Sequence, residues 1–547
     1  MSLKQSSLEK IILLLFFIAF LFTGAGLLSD HALIHSFPYG IYAMDATSHL
    51  SFVQTLYQRG NFTYLPAYMA GGYTDALSAN PPVIYYLTAS FAHLAGIPWY
   101  DGVSIIMLLA FVLLPFVMYL IIHRFHPAAA LFSLPVAYLL FANPFFSSLS
   151  WGEYPFILGV LFLLAGLWFV PVIRLSYLWL PLALILSANF LSHASEFVVL
   201  IGFIIVYILV EYFQKEKIKS YFKSLLPLFI VTGIMIAHYF IIFKNTFAKL
   251  QLSSSFKPIF TAGYLVPEFL NNFPVILIVI FGIGIFLSGL IILNSFKNKT
   301  KNWIVPVMAL FLLIITYTNW IGQKRALQIR LLWPVLLMFF FGVVFYYAWT
   351  KIKSAHKEWI PALGAVCIGV ILLLTYYTPF THAGLLDQYT WESFTWIQEN
   401  TPPEATILFF HGDVYNQHTM LNLVQRRTFR VKSEDQVQKA QQQILSRTFF
   451  ILPETFLDTW LAYRKSLFEF GYHYSENESL YQGREMDICQ FDYFVLTKAS
   501  QAQPLAEYNI AIGQHLLENK KGELVFNNPL IAIVRNLHPG GDCLDIK

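Results

Sequence analysis

Charge is what this sequence has least of. Only 12% of its 547 residues are Asp, Glu, Lys or Arg, against roughly 25% in a soluble domain. Most of the chain therefore needs no aqueous surface. Cysteine is scarce as well: Cys367, Cys489 and Cys543 are the whole complement. Three are too few for a disulfide framework and lack the paired spacing of a zinc site, which leaves one bridge, Cys489–Cys543, open. A formal net charge of +4 gives no reason to expect a nucleic-acid partner. What fills the chain instead is apolar and aromatic, with 52 Phe and 31 Tyr, as lipid-facing helices and interfacial aromatic belts require.

Apolar runs able to cross a hydrocarbon core of roughly 30 Å lie near residues 11–28, 103–122, 128–142, 154–173, 177–191, 197–213, 225–243, 274–294, 303–318, 331–349 and 358–378. No Lys or Arg falls inside any of them. The first, preceded by Lys4 and Lys10, could be a signal peptide. Its length and the lack of an A-x-A site favour a retained anchor. The connecting loops alternate in charge. Lys4, Lys10, Arg124, Arg174, Lys215 to Lys223, Lys297 to Lys301 and Lys351 to Lys357 fall in one set, whereas residues 29–102 hold Arg59 alone and 143–153 and 192–196 hold no Lys or Arg. By the positive-inside rule the amino terminus is cytoplasmic and everything after residue 378 is outside. The expected host is the cytoplasmic (plasma) membrane.

Two external loops break the charge rule. One carries Lys244, Lys249 and Lys257, the other Lys324, Arg325 and Arg330. Snorkelling at helix ends explains the lysines. Arg330 opens RLLWPVLL close to the membrane, where a guanidinium suits a bidentate phosphate contact, with Arg325 as its companion.

Acids near a bilayer are costly and tend to mark sites. Asp45 stands in MDATSHLSFVQTLYQRGNF, which from Ala43 to Tyr57 reads as a membrane-parallel amphipathic helix. His49 follows one turn later on the same face. Asp75 lies in the Gly/Pro-rich stretch after it, and VIYYLTASFAHLAG reads as a second such helix. Glu153, in SWGEYPF, is the lone charge of the second external loop; the alternative there is a helix cap. His193 and Glu196, in LSHASEF, fall at a tight external turn. For Glu196 a plain cap competes with substrate binding, and for Asp45 a cap competes with catalysis. A carboxylate near a basic phosphate grip is what sugar transfer from a lipid phosphate needs. The acid serves as general base or holds a divalent metal, and the cation stabilises the departing phosphate.

After about Thr381 the composition turns polar. ATILFF, FDYFVLT and PLIAIVRN read as strands, residues 432–448 as a helix and residues near 453–470 as another. This predicts an α/β domain with no nucleotide loop, no G-x-S-x-G and no metal spacing.

The motifs MDATSHLSFVQTLYQRGNF, GGY…NPPVIYYL, SWGEYPF, LSHASEF, RLLWPVLL and WIQENTPPEATIL together resemble the C-type (GT-C) membrane glycosyltransferases. Within that superfamily the chain is most similar to the bacterial and archaeal membrane proteins labelled "6-pyruvoyl-tetrahydropterin synthase-related". The resemblance implies a polytopic helical domain of about eleven spans (1–378, with a large first external loop, 29–102) and an extracytoplasmic α/β domain (379–547). It implies Asp45 as base or metal ligand and Glu153 at the place of the oligosaccharyltransferase D-x-E motif. It gives Arg330 the lipid-phosphate role and makes a polyprenyl-phosphate-linked sugar the partner. A Mg or Mn ion held by Asp45 and Glu153 is the expected cofactor. His49, His193, Glu196, Asp75 and Arg325 complete the candidate site. The chain departs from the pattern in carrying one acid at Glu153 rather than two and in lacking the W-W-D acceptor motif, so transfer to a glycosylation sequon is not expected. The competing readings are a non-catalytic binder of lipid-linked glycan and a transporter or flippase, although no internal repeat supports the latter. The oligomeric state, the sugar and the acceptor are not legible.

Overall fold

The computed structural model describes residues 3–27, 35–40, 44–59, 82–142, 146–173, 178–213, 219–249, 275–316, 332–353, 359–377, 384, 386–410, 420–453, 483–499 and 503–544. The amino-terminal part is helical: α1 (Leu3–Leu27), α2 (Met44–Arg59), α3 (Val83–Ala95), α4 (Trp99–His123), α5 (Pro127–Ser133), α6 (Ser147–Trp151), α7 (Tyr154–Phe169), α8 (Trp179–Phe190), α9 (Ala194–Phe213), α10 (Lys219–Lys249), α11 (Val275–Asn298), α12 (Ile304–Thr316), α13 (Leu332–Thr350) and α14 (Ile360–Tyr376).

Every apolar run expected to cross the membrane folds as helix. Five are long and apolar enough to do so alone: Ser7–Gly26, Trp99–His123, Tyr154–Val172, Ser195–Phe213 and Val275–Asn298. The other six form apolar stretches of 10–17 residues, and at 1.5 Å per residue most of these fall short of the hydrocarbon thickness. The expected run at 128–142 is not one α-helix: α5 passes into a 3₁₀ segment, Leu134–Phe141, with Pro135 at its start. Proline contributes no N–H to the α-ladder at that point.

Two carboxylates of this part have basic partners. Glu211, fully buried near the end of α9, accepts from Tyr221 Oη at 2.9 Å and meets Lys301 Nζ at 3.4 Å. Glu9 meets His123 Nε2 at 2.9 Å. Burying a carboxylate in an apolar bundle is costly without such partners.

The carboxy-terminal part holds α15 (Gln388–Asn400), α16 (Ser433–Gln442), α17 (Gln503–Glu518) and seven strands: β1 (Thr406–Phe409), β2 (Arg427–Val431), β3 (Thr448–Pro453), β4 (Arg484–Asp487), β5 (Tyr493–Thr497), β6 (Gly522–Asn527) and β7 (Ile531–Asn536). They form one mixed sheet in the order β4-β3-β2-β1-β5-β7-β6. β1 runs parallel to both β2 and β5, and the outer pairs are antiparallel. Alternation along the strands divides the sheet between two cores. Ile407, Phe409, Tyr493, Val495, Ile531 and Ile533 join the apolar cluster that continues into the membrane helices, while Leu408, Phe410, Phe494, Leu496 and Val534 pack with Leu505, Ile512 and Leu516 of α17. Cys489 and Cys543 are disulfide-bonded, with Cα atoms 5.3 Å apart.

The three strands expected from sequence are present as β1, β5 and β7. The helix expected over 432–448 stops at Gln442, with Gln443 in the left-handed region at φ 54°. Thr448 then opens β3, because the run TFFILP is β-branched and aromatic and finds partners in β2 and β4. That strand occupies the start of the helix expected near 453–470; the rest of that segment lies outside the described residues.

α2 joins the two parts. Ser51, Gln54 and Thr55 on this helix are buried. The Gln425 amide donates to Gln54 Oε1 at 3.0 Å, Thr55 Oγ1 at 3.3 Å and the Ser51 carbonyl at 3.4 Å. Gln54 in turn donates to Gln398 Oε1 at 3.3 Å, and Gln398 donates to the Leu423 carbonyl at 2.6 Å. The sheet domain is thereby seated on the helix that carries Asp45.

Candidate functional site

Asp45 sits in the first turn of α2 and is exposed. A carboxylate is stabilised there by the helix N-terminus whatever else it does. Beside it runs the link between α6 and α7. Gly152 has φ +88°, and a Cβ on it would fall 2.1 Å from Ala46 N and 2.6 Å from the Asp45 carbonyl carbon. Only glycine meets both demands, a left-handed backbone and the absence of a side chain. The approach sets the Asp45–Ala46 backbone against Gly152, the residue before Glu153. Glu153 occupies the N-cap position of α7, but its side chain makes no capping hydrogen bond. Its position still suits a carboxylate at a helix N-terminus.

His49 lies one turn along α2. Its Nδ1 is 2.7 Å from Tyr85 Oη of α3, and its ring lies 5.9 Å from that of Tyr154 at the start of α7. Burial, reinforced by the charge of His193, pushes His49 down to about 4, so it is neutral at physiological pH. His193 precedes α9 and Glu196 lies in its first turn; His193 Nδ1 contacts Glu196 Oε2 directly. Burial works against charge on His193, but the Glu196 carboxylate beside it and Glu153 beyond outweigh that, and its pKa stands above the ordinary histidine value. Gly159 of α7 makes room for the pair: a Cβ there would lie 2.9 Å from His193 Cβ and 3.0 Å from Glu196 Oε2. Glu196, expected as a cap or a substrate contact, is fully buried and its Oε1 has no hydrogen-bond partner among the described residues.

Asp45, His49, Glu153, His193 and Glu196 thus gather where α2, α7 and the α8–α9 turn meet. Arg330, Arg325 and Asp75 lie outside the described residues. Tyr85, Gly152 and Gly159 support the cluster and were not singled out from the sequence as site residues. Among the described residues no three His, Cys, Asp or Glu side chains are grouped so as to hold a metal ion. Asp45 and Glu153 offer two carboxylates toward the expected cation.

No protein-family model matches the chain, and no curated protein matches it in sequence. Solved structures do. The oligosaccharyltransferase of Archaeoglobus fulgidus in its apo form superposes with a TM-score of 0.51 at 12% identity, covering 90% of this chain and 72% of that one. The chain shares the fold of that archaeal protein. The same archaeal enzyme complexed with Zn and sulfate matches with a TM-score of 0.48, over 76% of this chain and 62% of that one, also at 12% identity. A complex with an inhibitory peptide and a dolichol-phosphate gives 0.47, over 77% and 64%. In both complexes this chain spans less than two thirds of the enzyme's length. At such identity the likeness speaks for the fold alone, and the residues have to carry the function.

Proposed function

We propose that this protein is an integral membrane glycosyltransferase that takes a sugar from a polyprenyl-phosphate-linked donor and passes it to an envelope acceptor at the outer membrane face. The carrying observation is the packing of the Asp45–Ala46 backbone against Gly152, next to Glu153, with two histidines close by whose pKa values are shifted in opposite directions. Paired titratable groups whose surroundings push them apart are the usual arrangement for acid–base work.

In the reaction, an acceptor hydroxyl attacks the anomeric carbon, the bond from that carbon to the phosphate oxygen breaks, and the phosphate leaves with the electron pair. Asp45 takes the proton from the attacking hydroxyl, and the configuration inverts. His49, neutral at physiological pH, assists as a hydrogen-bonding group. Three carboxyl groups, Asp45, Glu153 and Glu196, gather here, so an anionic donor needs further positive charge at this site. Arg330, with Arg325, fills that role in this reading. The finer kinship, to the "6-pyruvoyl-tetrahydropterin synthase-related" membrane proteins, is part of the same proposal, as are the eleven spans and the division at residue 378. The Cys489–Cys543 bridge supports the orientation, because such bonds persist in oxidising compartments outside the cytoplasm.

The test uses purified wild-type protein and Asp45→Asn with a labelled lipid-linked sugar. A general base contributes about 10²- to 10⁴-fold, and the mutant is expected to lose transfer by that factor while keeping its fold. Full transfer by the mutant removes Asp45 from the mechanism. The same assay with a chelator separates Asp45 as a base, insensitive to it, from Asp45 as a ligand. Retention of labelled lipid with no transfer by the wild type would instead make the chain a non-catalytic binder.

A further inference from the structure

We propose that His193, held as an imidazolium by Glu196, donates its Nε2–H to the phosphate of the donor. The proposal rests on the glycosyltransferase reading and names a phosphate contact within the described residues. Three observations carry it. Glu196 is fully buried, while the His193 side chain is 25% exposed, so the pair has one closed and one open end. Nδ1 is taken by Glu196 Oε2, and the ring rests edge-on against Phe156, with centroids 5.7 Å apart. Nε2 is the remaining hydrogen-bonding atom of this partly exposed ring, and no partner is seen for it among the described residues.

Burying a carboxylate beside apolar helices is costly without a hydrogen-bonded partner that can carry positive charge. His193 is the partner Glu196 has. The groups that face His193 are Glu196 on its own turn, Glu153 at the start of α7 and the neutral His49 of α2. Two of the three favour the charged ring. A carboxylate that fixes one imidazole nitrogen and leaves the other presented outward is the orientation device of metal and catalytic histidines. Here it presents a cationic donor, which a phosphate oxygen accepts more strongly than a neutral one. Glu196 is a positioning residue in this scheme, acting through His193.

The experiment measures binding of a short-chain polyprenyl phosphate, without sugar, to the purified full-length protein in detergent across pH 5.5–9. Wild type is expected to bind and to lose affinity as pH rises through the His193 pKa. His193→Gln should weaken binding about 10- to 100-fold, the range of a charge-assisted hydrogen bond, and remove that descending limb. Glu196→Gln keeps an acceptor for Nδ1 but removes the charge, so the limb should move to lower pH. Unchanged affinity in His193→Gln, or affinity in wild type that rises with pH, overturns the proposal while leaving the glycosyltransferase reading standing. No binding by wild type at any pH overturns both. A melting temperature recorded for each variant separates loss of contact from loss of fold. If His193→Gln does not fold, the shift of the limb in Glu196→Gln decides the matter alone.

Discussion

At the residue scale, His49 shows how the site couples to stability. Its imidazole is buried against Tyr85 and Tyr154 and stays neutral down to a pH of about 4, whereas in the unfolded chain it titrates near 6.5. Between those values the unfolded state binds the extra proton, so stability must fall as pH falls through that window. His193 has the opposite sign. Its raised pKa contributes stability below the unfolded value that is lost as pH rises through the folded one. Thermal melting of wild type and His49→Gln between pH 7 and pH 4 should show a steeper acid loss in wild type. Parallel curves would mean that His49 is not buried as described. These residues were legible because acids are rare in so apolar a chain and His49 and His193 each stand one turn from one, Asp45 and Glu196. The contacts that set their protonation were not, since Tyr85 is 36 positions from His49 and no local pattern marks the pair.

At the scale of elements, the link from α6 to α7 sets how closely Glu153 approaches the start of α2. Gly152→Ala places a methyl group 2.1 Å from Ala46 N and forces a side chain into the left-handed region. The backbone term alone costs roughly 1–2 kcal/mol, and the clash must also push α2 away. The expected outcome is a lowered melting temperature together with loss of transfer out of proportion to the folded fraction. Normal activity in a folded Gly152→Ala protein would show that the contact between α2 and the link is not needed. Hydropathy alone located the apolar helices, because the bilayer imposes their composition. It did not give their lengths, for α8 has only 12 residues, nor the 3₁₀ segment that opens at Pro135. In the sheet domain, β2, β3, β4 and β6 were missed. Short strands such as REMD and RTFRV carry no clean alternation, and long-range pairing makes them strands.

At the scale of the whole molecule, the sheet domain rests on the helix that bears the site, through Gln54, Gln398 and Gln425. Gln425→Ala leaves Gln54 Oε1 and Thr55 Oγ1 without their buried donor. Each such loss costs about 1–3 kcal/mol, so the mutant should be cut more readily by protease between the two parts, and an unchanged digestion rate would argue against the coupling. The Cys489–Cys543 bridge spans 54 positions, and in the chain-entropy account a loop of that size is worth about 4 kcal/mol. Replacing both cysteines by Ser should lower the melting temperature of the sheet domain, an effect that reducing agent should reproduce in wild type.

The central claim is that Asp45 and Glu153 mark the place where a lipid phosphate is held for sugar transfer. The most direct measurement is an experimental structure of the full-length protein bound to a short polyprenyl phosphate. The account predicts phosphate density at the junction of α2, α7 and the α8–α9 turn, within hydrogen-bond reach of Arg330 and beside Asp45. Phosphate bound elsewhere, or Arg330 turned away from Asp45 with that junction closed, would contradict it.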